Sequence, residues 1–160
     1  MKLTEFFRQK KPFFLGLLIA FIVAFFDLLT KRLAFVALDN TSFLSLETNG
    51  NQIEVTSFFN LVNVWNRGVS FGMFSNFNYS QLLFSLIVSI ITLILLVWLY
   101  KNSRFYLTFA ISFIIGGAIG NLFDRIKYGA VADFLDFHLF GYHWPAFNLA
   151  DSTVFIGVAM

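Results

Sequence analysis

Cysteine is absent from the 160 residues. That excludes disulfides, thiolate metal sites and a cysteine nucleophile. Charge is scarce too: Asp, Glu, Lys and Arg make up 12% of the chain, where soluble domains carry about a quarter. A formal net charge of +2 is too small to argue for a nucleic-acid partner. There is no internal repeat and no low-complexity linker. A phosphate-binding loop is missing as well, because GGAIGN (116–121) lies inside an apolar run with no strand before it. What is abundant is apolar: 58% hydrophobic residues, 24 Phe and a mean hydropathy of +0.76. These values exclude a soluble domain, and the length suits one membrane-embedded domain over residues 1–160.

A bilayer core of about 30 Å takes roughly 20 apolar residues in a helix. Four candidate spans follow, at about 12–37, 82–100, 105–123 and 145–160. The last is still apolar where the sequence stops at Met160, so the expectation is a helix that is truncated or continues further. The first span has the basic start of a signal peptide. Its apolar run is long, however, and no small-x-small site follows, which predicts an uncleaved span.

Lys and Arg placement sets the orientation. Lys2, Arg8, Lys10 and Lys11 precede span one, and Lys101 and Arg104 lie between spans two and three. Both regions are expected in the cytoplasm, with 39–80 and 124–143 outside. Lys31, Arg32, Arg125 and Lys127 break this rule, which points to cations held by partners. Asp27, Asp124 and Asp151 then reach one depth from three different spans. Asp133 follows Asp124 by nine residues in an external loop and can fold back to it. Carboxylates at such depths usually face a bundle interior or a watery cavity.

Residues 40–75 alternate as strands do, with an Asn-Gly turn signal in ETNGNQ, and predict a small external β-cradle. NRGVSFG (66–72) has glycines suited to a close backbone approach. GAVADFLDFHLFGYHWPAF (129–147) is aromatic and amphipathic, and predicts an external interfacial helix with Tyr142 and Trp144 at headgroup level. The expected class is an all-α polytopic membrane protein: four transmembrane helices, the β-cradle and the interfacial helix.

Several groups are candidates for chemistry. Asp27 and Lys31, four apart, can pair along one helix face. Asn121, Asp124 and Arg125 share a face, and Asp124 with Arg125 reads equally as a structural pair. Gly116 and Gly120 form a Gly-x-x-x-Gly packing signal. Asp133 and Asp151 differ from these, because no Lys or Arg lies within five positions of either. As a close pair they cannot both ionise easily, so one serves as acid and the other as base for water attack on an amide. As separate residues they are ordinary interfacial acids. Asn148 lies one helical turn before Asp151. His138 and His143 read as aromatic-belt residues rather than metal ligands. Ser70 has no nearby base in the sequence. Buried acids in a small bundle also fit another class, a proton-coupled transporter or channel subunit, although the repeated halves and broken helices typical of transporters are absent.

DLLTK (27–31), NRGVSFG, GNLFDRIKYGAVADF (120–134) and PAFNLADS (145–152), in this order and spacing, resemble the lipoprotein signal peptidase (signal peptidase II) family of bacteria. The resemblance covers nearly the whole chain. It implies a membrane aspartyl endopeptidase with Asp133 and Asp151 as its catalytic residues. It implies supporting or substrate-binding roles for Asp27, Lys31, Asn66, Gly68, Asn121, Asp124, Arg125 and Asn148. The implied substrate is a prolipoprotein cut just before a diacylglyceryl-modified cysteine. No metal or cofactor is implied. Membrane lipids and globomycin-type inhibitors are the implied further partners, and the bacterial inner membrane is the implied location, with the active site toward the periplasm.

Overall fold

The structure, a computed structural model, describes residues 10–39, 52–67 and 80–160. Among these, three apolar helices are long enough to cross a bilayer: α1 (Lys11–Asp39), α2 (Ser80–Lys101) and α3 (Phe105–Tyr128). A fourth, α4 (Leu149–Ala159), is shorter. The strands are β1 (Gln52–Thr56), β2 (Phe59–Asn66), β3 (Val131–Leu139) and β4 (Tyr142–His143). The chain is a helical membrane protein with a small antiparallel sheet.

At 1.5 Å per residue α1 is about 43 Å long, more than the hydrocarbon core requires. Its outward residues, such as Phe21 and Phe25, are exposed, as are Leu82, Leu93 and Ile94 of α2. In water such surface would be an aggregation hazard; in a bilayer it meets lipid. The core between helices is correspondingly small, built on Ala20, Leu99, Ile111 and Ile115. The α2–α3 connection is three residues, closed by Asn102, whose side chain accepts from Arg104 N at 3.0 Å and donates to Thr108 Oγ1 at 3.1 Å.

Helix α3 is central and packs on α1, α2 and α4. Small residues permit this, since helices in lipid associate through close backbone contact. Gly116 lies against Ala20 and Val23 of α1, and Gly120 lies against Asp27. At Gly117 a Cβ would collide with the Ala150 carbonyl oxygen and lie 2.7 Å from Thr153 Oγ1, so glycine is what lets α4 sit on α3. Helix α3 ends at Gly129, whose φ of 68° is left-handed and whose N–H bonds Arg125 O at 3.0 Å. That turn sends the chain into β3.

The sheet has the order β1-β2-β3-β4, with all neighbours antiparallel. Strands β1 and β2 lie within the expected cradle; 40–51 and 68–75 of that segment fall outside the described residues. The expected interfacial helix over 129–147 is corrected by this sheet. VADFLDFHL pairs along β2, with Phe59 opposite Phe137, Asn60 opposite Asp136 and Asn66 opposite Val131. Aromatic and β-branched residues fit a pleated, half-buried ladder, and β2 supplies backbone partners that a surface helix would not use. Strand β3 then turns into β4 through Phe140 (φ 50°) and Gly141 (φ 82°), a two-residue hairpin of the primed type. Asp133 therefore sits on a strand, not in a loop.

Candidate active site

Asp133 enters from β3 and Asp151 from the first turn of α4. Asn148 connects them. It is fully buried, with its Nδ2 2.7 Å from Asp133 Oδ1 and 3.3 Å from the Ala132 carbonyl. Its Oδ1 accepts from Asp151 N at 2.9 Å, and Asp151 Oδ2 accepts from Asn148 N at 3.4 Å. This reciprocal pair is a capping box, which satisfies amides that the first helical turn leaves without partners. The second Asp133 oxygen accepts from Asn66 Nδ2 at 3.0 Å. Val64 is the register partner of Asp133, so Asn66 is its diagonal neighbour on the same face. Asp151 Oδ1 accepts from Asn121 Nδ2 at 2.8 Å.

Behind these lies an ion cluster. Lys31 Nζ is 2.7 Å from Asp27 Oδ2, 2.7 Å from Asp124 Oδ2 and 3.0 Å from Asn121 Oδ1. The Asp124–Arg125 pair read from the sequence is not formed, because Asp124 turns inward to Lys31. Arg125 instead donates to Asn121 O at 3.3 Å, in the field of Asp151, Asp133 and Asp124. Of the four rule-breaking cations, Lys31 and Arg125 are thus engaged by partners in this cluster. Of the ten residues singled out by sequence, nine gather here; Gly68 lies outside the described residues.

Burial pushes the Asp133 carboxyl up to about 7, and the nearby Asp151 charge adds to the rise; the bonds from Asn66 and Asn148 and the Lys31 charge oppose it. Both aspartates, Asn66, Asn121 and Arg125 line a cleft of about 950 Å³. Its other walls are Trp144–Phe147 and apolar residues of α2, α3 and α4, including Val88, Ile114 and Phe155. Two carboxyls of unequal environment therefore face a cavity walled largely by apolar side chains.

The family description "Signal peptidase (SPase) II" matches residues 19–160. The chain belongs to the signal peptidase II family. A lipoprotein signal peptidase of Syntrophotalea carbinolica is 42% identical over 147 residues, covering 90% of this chain and 86% of that protein. One of Anaplasma phagocytophilum is 41% identical, covering 77% and 81%. A solved bacterial membrane enzyme, determined in meso at 2.3 Å, superposes with a TM-score of 0.72 at 34% identity, covering 90% of this chain and 82% of that one.

The signal peptidase II fold here also contains polar residues that sequence reasoning missed. Asp136 is buried, accepts from Asn60 Nδ2 at 2.8 Å, and lies 2.9 Å from His143 Nδ1. His143 in turn stacks on His138, with ring centroids 4.8 Å apart. His143 thereby ties β4 to β3. The cross-strand register Asn60–Asp136 is the only signal for this cluster, and it exists only once β3 is paired.

Proposed function

We propose that this chain is a membrane-embedded aspartic endopeptidase that removes the signal peptide from diacylglyceryl-modified prolipoproteins, cleaving before the lipidated cysteine. One observation carries the reading: Asp133 and Asp151 are joined through Asn148 on the wall of a cleft that reaches among apolar helices. The lipid and signal helix of such a substrate stay in the bilayer, so a site at that depth meets the scissile bond without extracting either.

In this reading Asp133 carries the shared proton, in line with its raised titration, and Asp151 is ionised. Asp151 takes a proton from water as the water oxygen attacks the amide carbon. Asp133 gives its proton to the carbonyl oxygen. Collapse of the tetrahedral intermediate breaks the C–N bond: the leaving nitrogen takes the proton now held by Asp151, and one hydroxyl of the diol returns its proton to Asp133 as the C=O re-forms. Asn121, Asn148 and Asn66 orient the carboxyls. Gly68 is assigned a place near the scissile segment, and Arg125 one beside the dyad.

Residues 1–160 act as a single domain in the bacterial inner membrane, with the N-terminus in the cytoplasm and the cleft toward the periplasm. Helix α4 belongs to a fourth span at about 145–160. Membrane lipids border the cleft, and globomycin-type cyclic peptides occupy it. Family membership favours this reading over a proton-coupled transporter. The test is single-turnover cleavage of a lipid-modified prolipoprotein by Asp133→Asn, Asp151→Asn and the double variant. Each single change removes nearly all of the rate, and the double change costs little more. Near wild-type cleavage by either folded single variant overturns the dyad.

A further inference from the structure

The ion cluster reaches the two aspartates through the backbone. Asp27, Lys31 and Asp124 are all buried, at 0%, 4% and 2% exposure. Each carboxylate has a second duty besides Lys31. Asp27 Oδ1 accepts from Ala150 N at 2.8 Å, and Asp124 Oδ2 accepts from Ala132 N at 3.2 Å. Ala150 immediately precedes Asp151, and Ala132 immediately precedes Asp133. The third contact of the ammonium, Asn121 Oδ1, belongs to the side chain that donates to Asp151 Oδ1. All three Lys31 contacts therefore lead to one or other aspartate.

A simple buried ion pair needs one carboxylate. Here two carboxylates share one ammonium, and the excess negative charge is expensive to bury. Two separate anchors, one for each amide, account for that excess, since neutralising one of them would leave its segment without an ionic tether.

We propose that Lys31 is a positioning residue: by drawing Asp27 and Asp124 together it sets the separation of the two backbone segments that carry Asp133 and Asp151. The inference rests on the dyad reading above. Two carboxyls that share a proton need their spacing held within about 0.5 Å, and they arrive here from a strand and a helix with no covalent closeness. Lysine suits the task because its compact ammonium lies within 3.0 Å of all three oxygens at once, where the planar fork of arginine would not.

The experiment uses the full-length protein in detergent or lipid, with two readouts: cleavage kinetics and amide hydrogen exchange. Lys31→Met lowers kcat about 100-fold, as expected for a misplacement of order 1 Å, and leaves KM within about twofold of wild type. The Ala132 and Ala150 amides exchange at least about tenfold faster, while mid-α2 amides do not change. A folded Lys31→Met protein with wild-type kcat, or with both amides still protected, overturns the proposal. If Lys31→Met does not fold, Asp27→Asn/Lys31→Met/Asp124→Asn decides. Its amide oxygens still accept from both N–H groups, no buried charge is left unpaired, and nothing draws the anchors together. A fall in kcat at constant KM in this variant supports the brace, and wild-type kcat overturns it. Full cleavage by Asp133→Asn or Asp151→Asn would sink the dyad reading instead, and the exchange of the two amides would still decide the role of Lys31.

Discussion

Asn148 holds Asp133 by its side-chain amide at 2.7 Å while capping, through its side-chain oxygen, the helix whose first turn carries Asp151. One residue thus serves the helix and both carboxyls, and its two functions separate by substitution. Asn148→Ala removes the cap, at about 1 kcal/mol, and also the donor to Asp133. The melting temperature and the cleavage rate both fall. Asn148→Ser restores a capping oxygen without burying a further acid, but its shorter side chain does not reach Asp133, so the melting temperature recovers and cleavage does not. Thermal unfolding read beside turnover checks this; recovery of both would show that Asn148 is only a cap.

The raised Asp133 gives a pH dependence of definite sign. Below about 7 the pair keeps one proton; above it that proton is lost, and cleavage declines on the alkaline side. Stability moves in the same direction. The folded state holds the Asp133 proton more tightly than the unfolded chain, whose carboxyl titrates near 3.8. The contribution is fully present below that value and is lost as pH rises to about 7. Asp133→Asn flattens the melting temperature over that window. A melting profile as steep as wild type in this variant would assign the dependence to another group.

Close packing at α3 and α4 predicts a strong effect from one methyl group. Gly117→Ala drives Cβ into the Ala150 carbonyl, next to Asp151. Overpacking of this kind costs about 1–3 kcal/mol, and here it displaces the helix that carries the acid. Both the melting temperature and turnover fall. Unchanged turnover would mean that α4 accommodates the methyl without moving Asp151.

The absence of cysteine makes the orientation directly testable by single-cysteine labelling. Ser103 and Tyr142 are both exposed. Tyr142→Cys reacts with an impermeant thiol reagent added to intact spheroplasts, and Ser103→Cys reacts only after the membrane is opened. The reverse pattern overturns the proposed orientation.

The helical elements were legible because their signals are local. Long apolar runs can span a bilayer only as hydrogen-bonded helices, and α3 runs from the expected start to Tyr128, past the expected end at 123, until a Gly in the left-handed position stops it. The strand at 131–139 was not legible. VADFLDFHL is amphipathic at either period, and its turn has Phe140 at a position where Asn or Asp would have announced a hairpin. Pairing with β2 chose between helix and strand, and such pairing is invisible along the chain. Asp136 and His143 stayed hidden for the same reason.

Composition and motif spacing alone determined a membrane-embedded chain with Asp133 and Asp151 as its unusual acids, since both properties reside in residue types and their order. Tertiary structure alone decided that Asp124 pairs with Lys31 rather than its neighbour Arg125, that Asn148 joins the two acids, and that the backbone before each acid is tied to one ammonium. Those contacts join residues separated by 8 to 123 positions. Which of many polar partners a buried charge takes is set by the packing of α1, α3, α4 and β3, where leaving any of them unpaired in low dielectric is most costly.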